Sequence, residues 1–345
     1  MHPRDRAVLR MAVGLGLSAF IAYGMALRLP FAVCVMALLV LSKPGPSLPF
    51  VKGLIVACVF AVLIAAGSLM VPLLEHYAVA GVTLTAAILF VLFFGGLTTG
   101  NPLTMVLVMA FALIPVAGVA ELALVPALAG ALALGVGVGA LVGAVSDALF
   151  PEKPGGAGAP KRPGVPPTSA RWIALRAVVI VMPVYLLALT NPSFYLAAIM
   201  KTVTLGQQAG DTNARSAGRE LVGSTLCGAG IAALIWLGLS LLPNLWMLTL
   251  WLTAAAMWAG AGMYGTRRTA FRPSFWSNAL VTTLILLGPA IEDSAAGKSV
   301  MKGALMRTTL FVVVALYAWV AVWALEAWRA RRVAAPRPTQ REAAQ

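Results

Sequence analysis

The residues of this chain that could do chemistry are concentrated in one polar stretch, from Lys201 to Glu220, within an otherwise apolar sequence. An arginine offers two parallel N–H donors to a carboxylate, and the amino end of a helix favours a negative charge. The stretch therefore predicts a binding site for a small organic anion. Its candidate residues are Lys201, Gln207, Gln208, Asp211 and Arg219, with Lys52 from the corresponding place earlier in the chain. The alternative is a solvated cytoplasmic loop whose cations only set topology.

No other motif in the sequence carries recognisable chemistry. Walker, dinucleotide-binding, HExxH and GxSxG sequences are absent, so neither a nucleotide-driven pump nor a hydrolase is expected. Cys34, Cys58 and Cys227 lie far apart in apolar stretches without a CxxC pair, and we interpret them as small core residues. We expect no enzyme activity, no catalytic residue, no cofactor and no metal. Without a nucleotide site, energy to move a bound solute would come from the proton gradient or from the gradient of the solute itself.

Few charges lie within or beside the apolar stretches, where an ionised group is costly. Four acidic or histidine side chains near the ends of these stretches are expected to be solvated at the membrane interface: Glu75, His76, Glu121 and Asp147. Glu292 and Asp293 are expected to pair locally with Lys298 and Lys302.

The composition indicates the elements that must position these residues. Of the 345 residues 61% are hydrophobic and 10% are charged, and the mean hydropathy is +0.92, so lipid must be the main solvent. The sequence predicts an all-α polytopic integral membrane protein with about twelve transmembrane segments. These are 8–27, 30–42, 50–71, 77–96, 102–118, 122–149, 171–190, 192–206, 217–241, 244–265, 274–290 and 304–327.

The segments fall into two halves that resemble each other. Residues 1–149 form the first six-segment half, 150–170 a Pro/Gly-rich cytoplasmic linker, 171–330 the second half and 331–345 a basic cytoplasmic tail. Leu9-Arg10 recurs as Leu175-Arg176, Lys52 as Arg219 and Gly95 as Gly262, at nearly constant spacing. Because six crossings is an even number, the two copies are predicted to be parallel pseudo-repeats.

The second segment of each half is unusual. Residues 30–42 are too short to span at full thickness, residues 192–206 are interrupted by Lys201, and both begin at a proline. Short or interrupted helices at corresponding positions point to the binding site of a transporter, because broken helices expose backbone dipoles to a cavity. The alternative is a short tilted helix at the edge of the bundle.

The distribution of positive charge predicts the topology. All but four of the 25 Lys and Arg residues fall on one side if both termini are cytoplasmic. The exceptions are Arg28, Lys298, Lys302 and Arg307. The net charge of +14 is thus explained by topology rather than by nucleic-acid binding. The first segment is expected to remain as an uncleaved span.

A basic loop leads into Arg219-Glu-Leu-Val-Gly223-Ser-Thr225-Leu-Cys-Gly228 at the head of the third helix of the second half. With the two six-span repeats, this pattern resembles the fusaric acid resistance and aromatic acid exporter superfamily, and in particular its compact branch, domain of unknown function 2955. Ser224 departs from the usual Gly-Thr pair, and the gap from Arg to Gly is longer than usual.

The resemblance covers nearly the whole chain and implies a component of the bacterial inner membrane that exports aromatic carboxylic acids or toxic compounds. It also implies a periplasmic membrane-fusion adaptor as a partner, alongside the lipid bilayer and a small organic anion substrate. Homo-oligomer formation is left open. The rival hypothesis from another functional class is a non-transporting membrane scaffold that assembles partner proteins.

Overall fold

The computed structural model describes residues 3–42, 50–100, 104–151, 164–211 and 214–334. Within these ranges every regular element is a helix and no strand occurs. The predicted all-α class is therefore confirmed.

The first half of the chain contains seven helices that form six rods in the described ranges. They are α1 (Pro3–Gly24), α2 (Pro30–Leu41), α3 (Phe50–Ala65), α4 (Met70–His76), α5 (Ala78–Thr99), α6 (Thr104–Ala120) and α7 (Leu124–Leu149). A 3₁₀ turn at Ala66–Leu69 joins α3 to α4 into one rod.

The second half contains a further seven helices over the described residues. Its helices are α8 (Pro167–Thr190), α9 (Pro192–Asp211), α10 (Ala214–Ala217), α11 (Gly223–Leu241), α12 (Leu245–Met263), α13 (Pro273–Ala295) and α14 (Val300–Ala334). A π-helical turn at Gly218–Val222 joins α10 to α11. Residues 152–163 of the predicted linker and 335–345 of the predicted tail lie outside the described residues, whereas α8 begins inside the predicted linker and α14 extends into the predicted tail.

Nine helical segments of the described chain are long and apolar enough to cross a bilayer. They are Pro3–Gly24, Ala57–His76, Ala78–Thr99, Leu124–Leu149, Pro167–Thr190, Gly218–Leu241, Leu245–Met263, Pro273–Ala295 and Val300–Arg331. Two shorter apolar helices, α2 and α6, accompany them. The chain is thus a multi-pass membrane protein, and a count of twelve crossings remains a prediction.

The second segment of the second half is not interrupted at Lys201, contrary to the sequence-based expectation. Helix α9 is continuous from Pro192 to Asp211. Proline is well placed in the first turn of a helix, and lysine has a high helix propensity, so the polar residue does not break the backbone pattern. The irregularity lies further along, at the π-turn.

The second helices lie at the centre of the molecule, so the alternative of an edge helix is wrong. Every side chain from Phe31 to Leu39 of α2 is buried, and α9 is buried all round from Ala198 to Gly206. Helices α2, α6, α9 and α13 pack around one another, α2 on α6 and α13, and α9 on the same two helices. A helix that is apolar and buried on every side belongs to the interior of a membrane protein.

The remaining helices surround this central group and present exposed apolar side chains, as expected of a surface that faces lipid. Helix α1 packs on α12 and helix α5 packs on α8, which joins the two halves. Gly135 and Gly139 let α7 approach α2 closely, because a Cβ at either position would overlap α2.

Contacts between chain segments show which ends of the helices lie together. Arg6 donates to the carbonyl of Pro151 at 3.0 Å, and Arg4 donates to that of Gly265 at 3.5 Å. The start of α1, the end of α7 and the connection from α12 to α13 therefore share one end of the molecule. All three are predicted to be cytoplasmic.

Candidate functional site

A fully buried lysine forms the centre of the candidate site. Lys201, on α9, has 0% exposure. Its Nζ donates to Oγ1 of Thr282 at 2.6 Å and to Oδ1 of Asn278 at 3.2 Å, both on α13. A buried ionisable side chain inside a membrane protein is costly, and such a residue is a functional candidate by default.

Asn278 connects the lysine to the second part of the cluster. Its Nδ2 donates to Oε1 of Gln208 and to Oγ of Ser224, each at 2.7 Å. Oγ of Ser224, in the first turn of α11, lies 3.2 Å from the same Oε1 of Gln208. We call Lys201, Gln208, Ser224, Asn278 and Thr282 the central polar cluster; it joins α9, α11 and α13.

The π-turn before α11 supplies an acceptor to the cluster. Nε2 of Gln208 donates to the carbonyl oxygen of Glu220, which lies in this turn, at 2.9 Å. Turns of this kind inside longer helices are often found at functional sites. Close packing brings α11 to α13 here, because a Cβ on Gly228 would overlap the carbonyl of Ala279.

The charge of the cluster is not balanced by a carboxylate. Among the described residues no acidic side chain lies within ion-pair distance of Nζ of Lys201, and its two hydrogen-bond partners are neutral. The Glu220 side chain is buried and interacts with the backbone of Arg272, while its Oε2 has no hydrogen-bond partner among the described residues. The cluster therefore combines an ionisable lysine with neutral donors and acceptors, a set that suits a small anion once the lysine is protonated.

Two of the six sequence-predicted site residues, Lys201 and Gln208, belong to the cluster. Gln207 is half-buried and is not one of its hydrogen-bonded side chains. Arg219 is exposed, with its guanidinium 5.3 Å from the centroid of the Phe271 ring, so the structure does not bring it to the cluster. The side chains of Lys52 and Asp211 lie outside the described residues.

Sequence reasoning missed Asn278, Ser224 and Thr282. A polar amide in the middle of the apolar helix α13 was the available signal for Asn278. Ser224 and Thr282 carried none, because single hydroxyl side chains commonly bond to the carbonyl one turn back in a helix. Both do so, to Leu221 and to Asn278.

Two ion pairs fasten the first helix of each half to the last one. Arg10 of α1 contacts Asp147 of α7 at 2.5 Å, and Arg176 of α8 contacts Glu326 of α14 at 2.8 Å. Arg176 also donates to the carbonyl of Ala209 near the end of α9. The expectation that Asp147 is only solvated is therefore wrong, since the partly buried Arg10 pairs with it.

The remaining charged residues near the apolar stretches differ in their partners. Glu75, His76 and Glu121 are exposed, as expected. Asp293 pairs with Arg307 at 2.7 Å rather than with a lysine, because Arg307 lies on the facing helix α14. Lys298 and Lys302 are exposed.

In the described part of the chain, no three Cys, His, Asp or Glu residues come together in a group that could hold a metal ion. Cys34 is buried and Cys227 half-buried, but Cys58 is exposed on α3, so the prediction of a core position is wrong for that residue. The apolar surface of a membrane protein faces lipid, and an apolar stretch does not distinguish this surface from the core.

The chain matches no family model, no curated protein and no solved structure. The resemblance to the aromatic acid exporter superfamily therefore stays a prediction.

Proposed function

We propose that this chain is a transporter of small organic anions, which exports aromatic carboxylic acids or related toxic compounds across a bacterial inner membrane. The observation that carries the proposal is the buried Lys201 with neutral partners among the four central helices. A core that only had to be stable would favour an apolar side chain here, because burying an unbalanced charge is unfavourable.

The proposed mechanism uses two parallel repeats that rock against each other around the central polar cluster. Matched packing supports the repeats: α1 contacts α12 as α8 contacts α5, and α2 contacts α13 as α9 contacts α6. Pairs of equivalent helix contacts like these are expected of two halves related by an axis along the membrane normal. The cluster lies at the contact of α9 with α13, both in the second half, so the two repeats would contribute unequally.

The proposed topology places both termini in the cytoplasm and a periplasmic adaptor on the opposite face. The outer connections are short, for example Leu242–Asn244 between α11 and α12. A protein with such connections delivers solute only to the outer face of its own bilayer. Crosslinking in cells followed by purification of the chain should recover a membrane-fusion adaptor. If the chain still makes cells resistant to the toxic compounds that it exports when such adaptors are absent, the chain works alone.

Counterflow in proteoliposomes tests the proposed function. Vesicles loaded with unlabelled 4-hydroxybenzoate should accumulate the labelled acid transiently and saturably. Lys201→Gln should reduce this signal about tenfold or more, because a charge-assisted hydrogen bond to the anion is lost. Lys302→Gln, which removes an exposed lysine, is the matched control and should behave as wild type.

The alternative function is a non-transporting scaffold that assembles partner proteins. Exposed apolar helices would serve such a role as well as they serve contact with lipid. No protein-dependent counterflow of any aromatic acid tested, with intact folded protein in the vesicles, would favour the scaffold and overturn the transporter.

A further inference from the structure

The hydrogen bonds of Lys201 can be counted atom by atom. The hydroxyl proton of Thr282 is donated to the carbonyl of Asn278 at 2.6 Å, so its oxygen accepts from Lys201. The amide nitrogen of Asn278 donates to Gln208 and Ser224, which orients its oxygen toward Lys201. Two acceptors thus face Nζ.

Two acceptors satisfy a neutral amine but not an ammonium group. A neutral lysine side chain has two N–H bonds, both of which are used here, and one lone pair that can take up a proton. An ammonium group has three N–H bonds, so one would be left without an acceptor among the described residues. The two hydrogen bonds made by Lys201 therefore fit the unprotonated amine.

The charged groups on the helices around α9 do not supply the missing acceptor. Helix α6 carries no titratable residue, and α9 itself carries Tyr195 and Asp211, the side chain of the latter being outside the described residues. The other elements that pack on α9 carry several titratable residues. Among the described side chains these are Arg171, Arg176 and Tyr185 on α8; Arg219 and Glu220 on the π-turn; Glu292 and Asp293 on α13; and Lys302, Arg307, Tyr317, Glu326, Arg329 and Arg331 on α14.

None of the carboxylates in this set is bonded to Lys201. Glu326 accepts from Arg176 and from Trp172, and Asp293 accepts from Arg307. Glu220 interacts with the backbone of Arg272 through one carboxylate oxygen, and its Oε2 has no hydrogen-bond partner among the described residues. Glu292 is exposed near the end of α13. An incoming carboxylate would therefore be the counter-charge and third acceptor of a protonated Lys201.

We infer that the organic anion bound at the central polar cluster crosses the membrane together with one proton held on Nζ of Lys201. The inference rests on the proposed transport function and adds its co-substrate. Binding converts –NH₂, H⁺ and RCOO⁻ into –NH₃⁺ paired with RCOO⁻, and release on the other side returns –NH₂, H⁺ and RCOO⁻. The proton favours binding of the anion and the anion favours binding of the proton, so the coupling is reciprocal. Since one H⁺ crosses with one RCOO⁻, the net charge moved is zero.

Net flux from proteoliposomes tests the inference. Wild-type vesicles are loaded with labelled 4-hydroxybenzoate and a pH-sensitive dye, and valinomycin with potassium gradients sets the membrane potential. Protein-free vesicles give the passive leak of the undissociated acid. Protein-dependent efflux should carry one proton per anion, and reversing the potential should change its rate by less than about twofold, since no net charge crosses the field.

Efflux without proton movement, or efflux that changes severalfold with potential, would overturn the inference and leave anion transport intact. Absence of both efflux and counterflow would overturn the proposed function as well.

A second variant separates proton release from anion binding. Arginine stays charged in proteins, so Lys201→Arg should keep anion-for-anion counterflow while losing most of the net efflux. Lys302→Arg is the exposed control and should retain both activities. Net efflux of Lys201→Arg at the wild-type rate would contradict proton release from this site. If the larger side chain prevents folding, the wild-type proton and potential measurements still decide the inference.

Discussion

Asn278 orients the central polar cluster, because its amide oxygen faces Lys201 and its amide nitrogen faces Gln208 and Ser224. Replacing it with aspartate would place a permanent carboxylate beside the lysine. That internal ion pair would compete with the substrate for the only cation of the cluster, so Asn278→Asp should lower 4-hydroxybenzoate counterflow by about tenfold or more.

Thr283→Val is a suitable control, since Thr283 follows Thr282 on α13 but bonds to the carbonyls of Gly228 and Ala279 instead of to the cluster. Wild-type counterflow in folded Asn278→Asp protein would show that the cluster does not bind the anion.

Among the residues of the central polar cluster, Lys201 could be predicted from the sequence, but its hydrogen-bond partners on α13 could not. Lys201 and Gln208 were predicted because charged and polar residues are conspicuous in an apolar stretch. Arg219 was predicted for its charge, but it is exposed and lies against Phe271. Asn278 and Ser224 are far from Lys201 in sequence, and only the packing of α9, α11 and α13 brings them together.

Among the elements, α1 and α8 are each held to the last helix of their half by an arginine. The arginines differ in burial, with 4% side-chain exposure for Arg176 and 13% for Arg10, whereas the carboxylates differ in the opposite sense, with 31% for Glu326 and 21% for Asp147. Arg176→Ala should destabilise the protein by about 3 kcal/mol, because it removes both the cation that pairs with Glu326 and the buried donor to the carbonyl of Ala209. Arg10→Ala should cost about 1 kcal/mol. Thermal unfolding in detergent would measure both.

The double exchange Arg10→Asp with Asp147→Arg should recover most of the loss caused by either single change. Equal destabilisation by Arg10→Ala and Arg176→Ala would show that the additional bond from Arg176 to Ala209 contributes no stability. No recovery in the exchange would show that the pairing of Arg10 with Asp147 is not what stabilises the protein.

The helices themselves were largely predictable, but their placement was not. Short α2 was expected from Pro30 and the polar residues after Leu41, and it ends where predicted to within a residue. The central position of α2 was not predictable. A helix that is apolar on every face has no amphipathic pattern that would show whether it lies inside the bundle or faces lipid. The polarity of Lys201 suggested a break in α9, whereas packing on α13 accommodates the side chain within a continuous helix.

For the whole molecule, composition was enough to predict a helical membrane protein, because lipid solvent requires internally bonded backbone. The relation of the two halves depends on contacts between distant helices, such as α1 with α12, that no local pattern contains.

The predicted sidedness can be checked on intact cells. In a background without the native cysteines, Gly155→Cys and Gln340→Cys should resist an impermeant thiol reagent applied from outside, and Lys298→Cys should react. Labelling of residue 155 or 340 before permeabilisation would contradict an even number of crossings with both termini inside.

The central claim is that the buried lysine holds the anion, and a structure of the protein with bound 4-iodobenzoate tests it most directly. The iodine locates the ligand by anomalous scattering, independently of its carboxylate. The account predicts the carboxylate at hydrogen-bond distance, about 3 Å, from Nζ of Lys201, as a third acceptor beside Thr282 and Asn278. Saturating ligand bound elsewhere, with Lys201 still bonded only to those two residues, would contradict it.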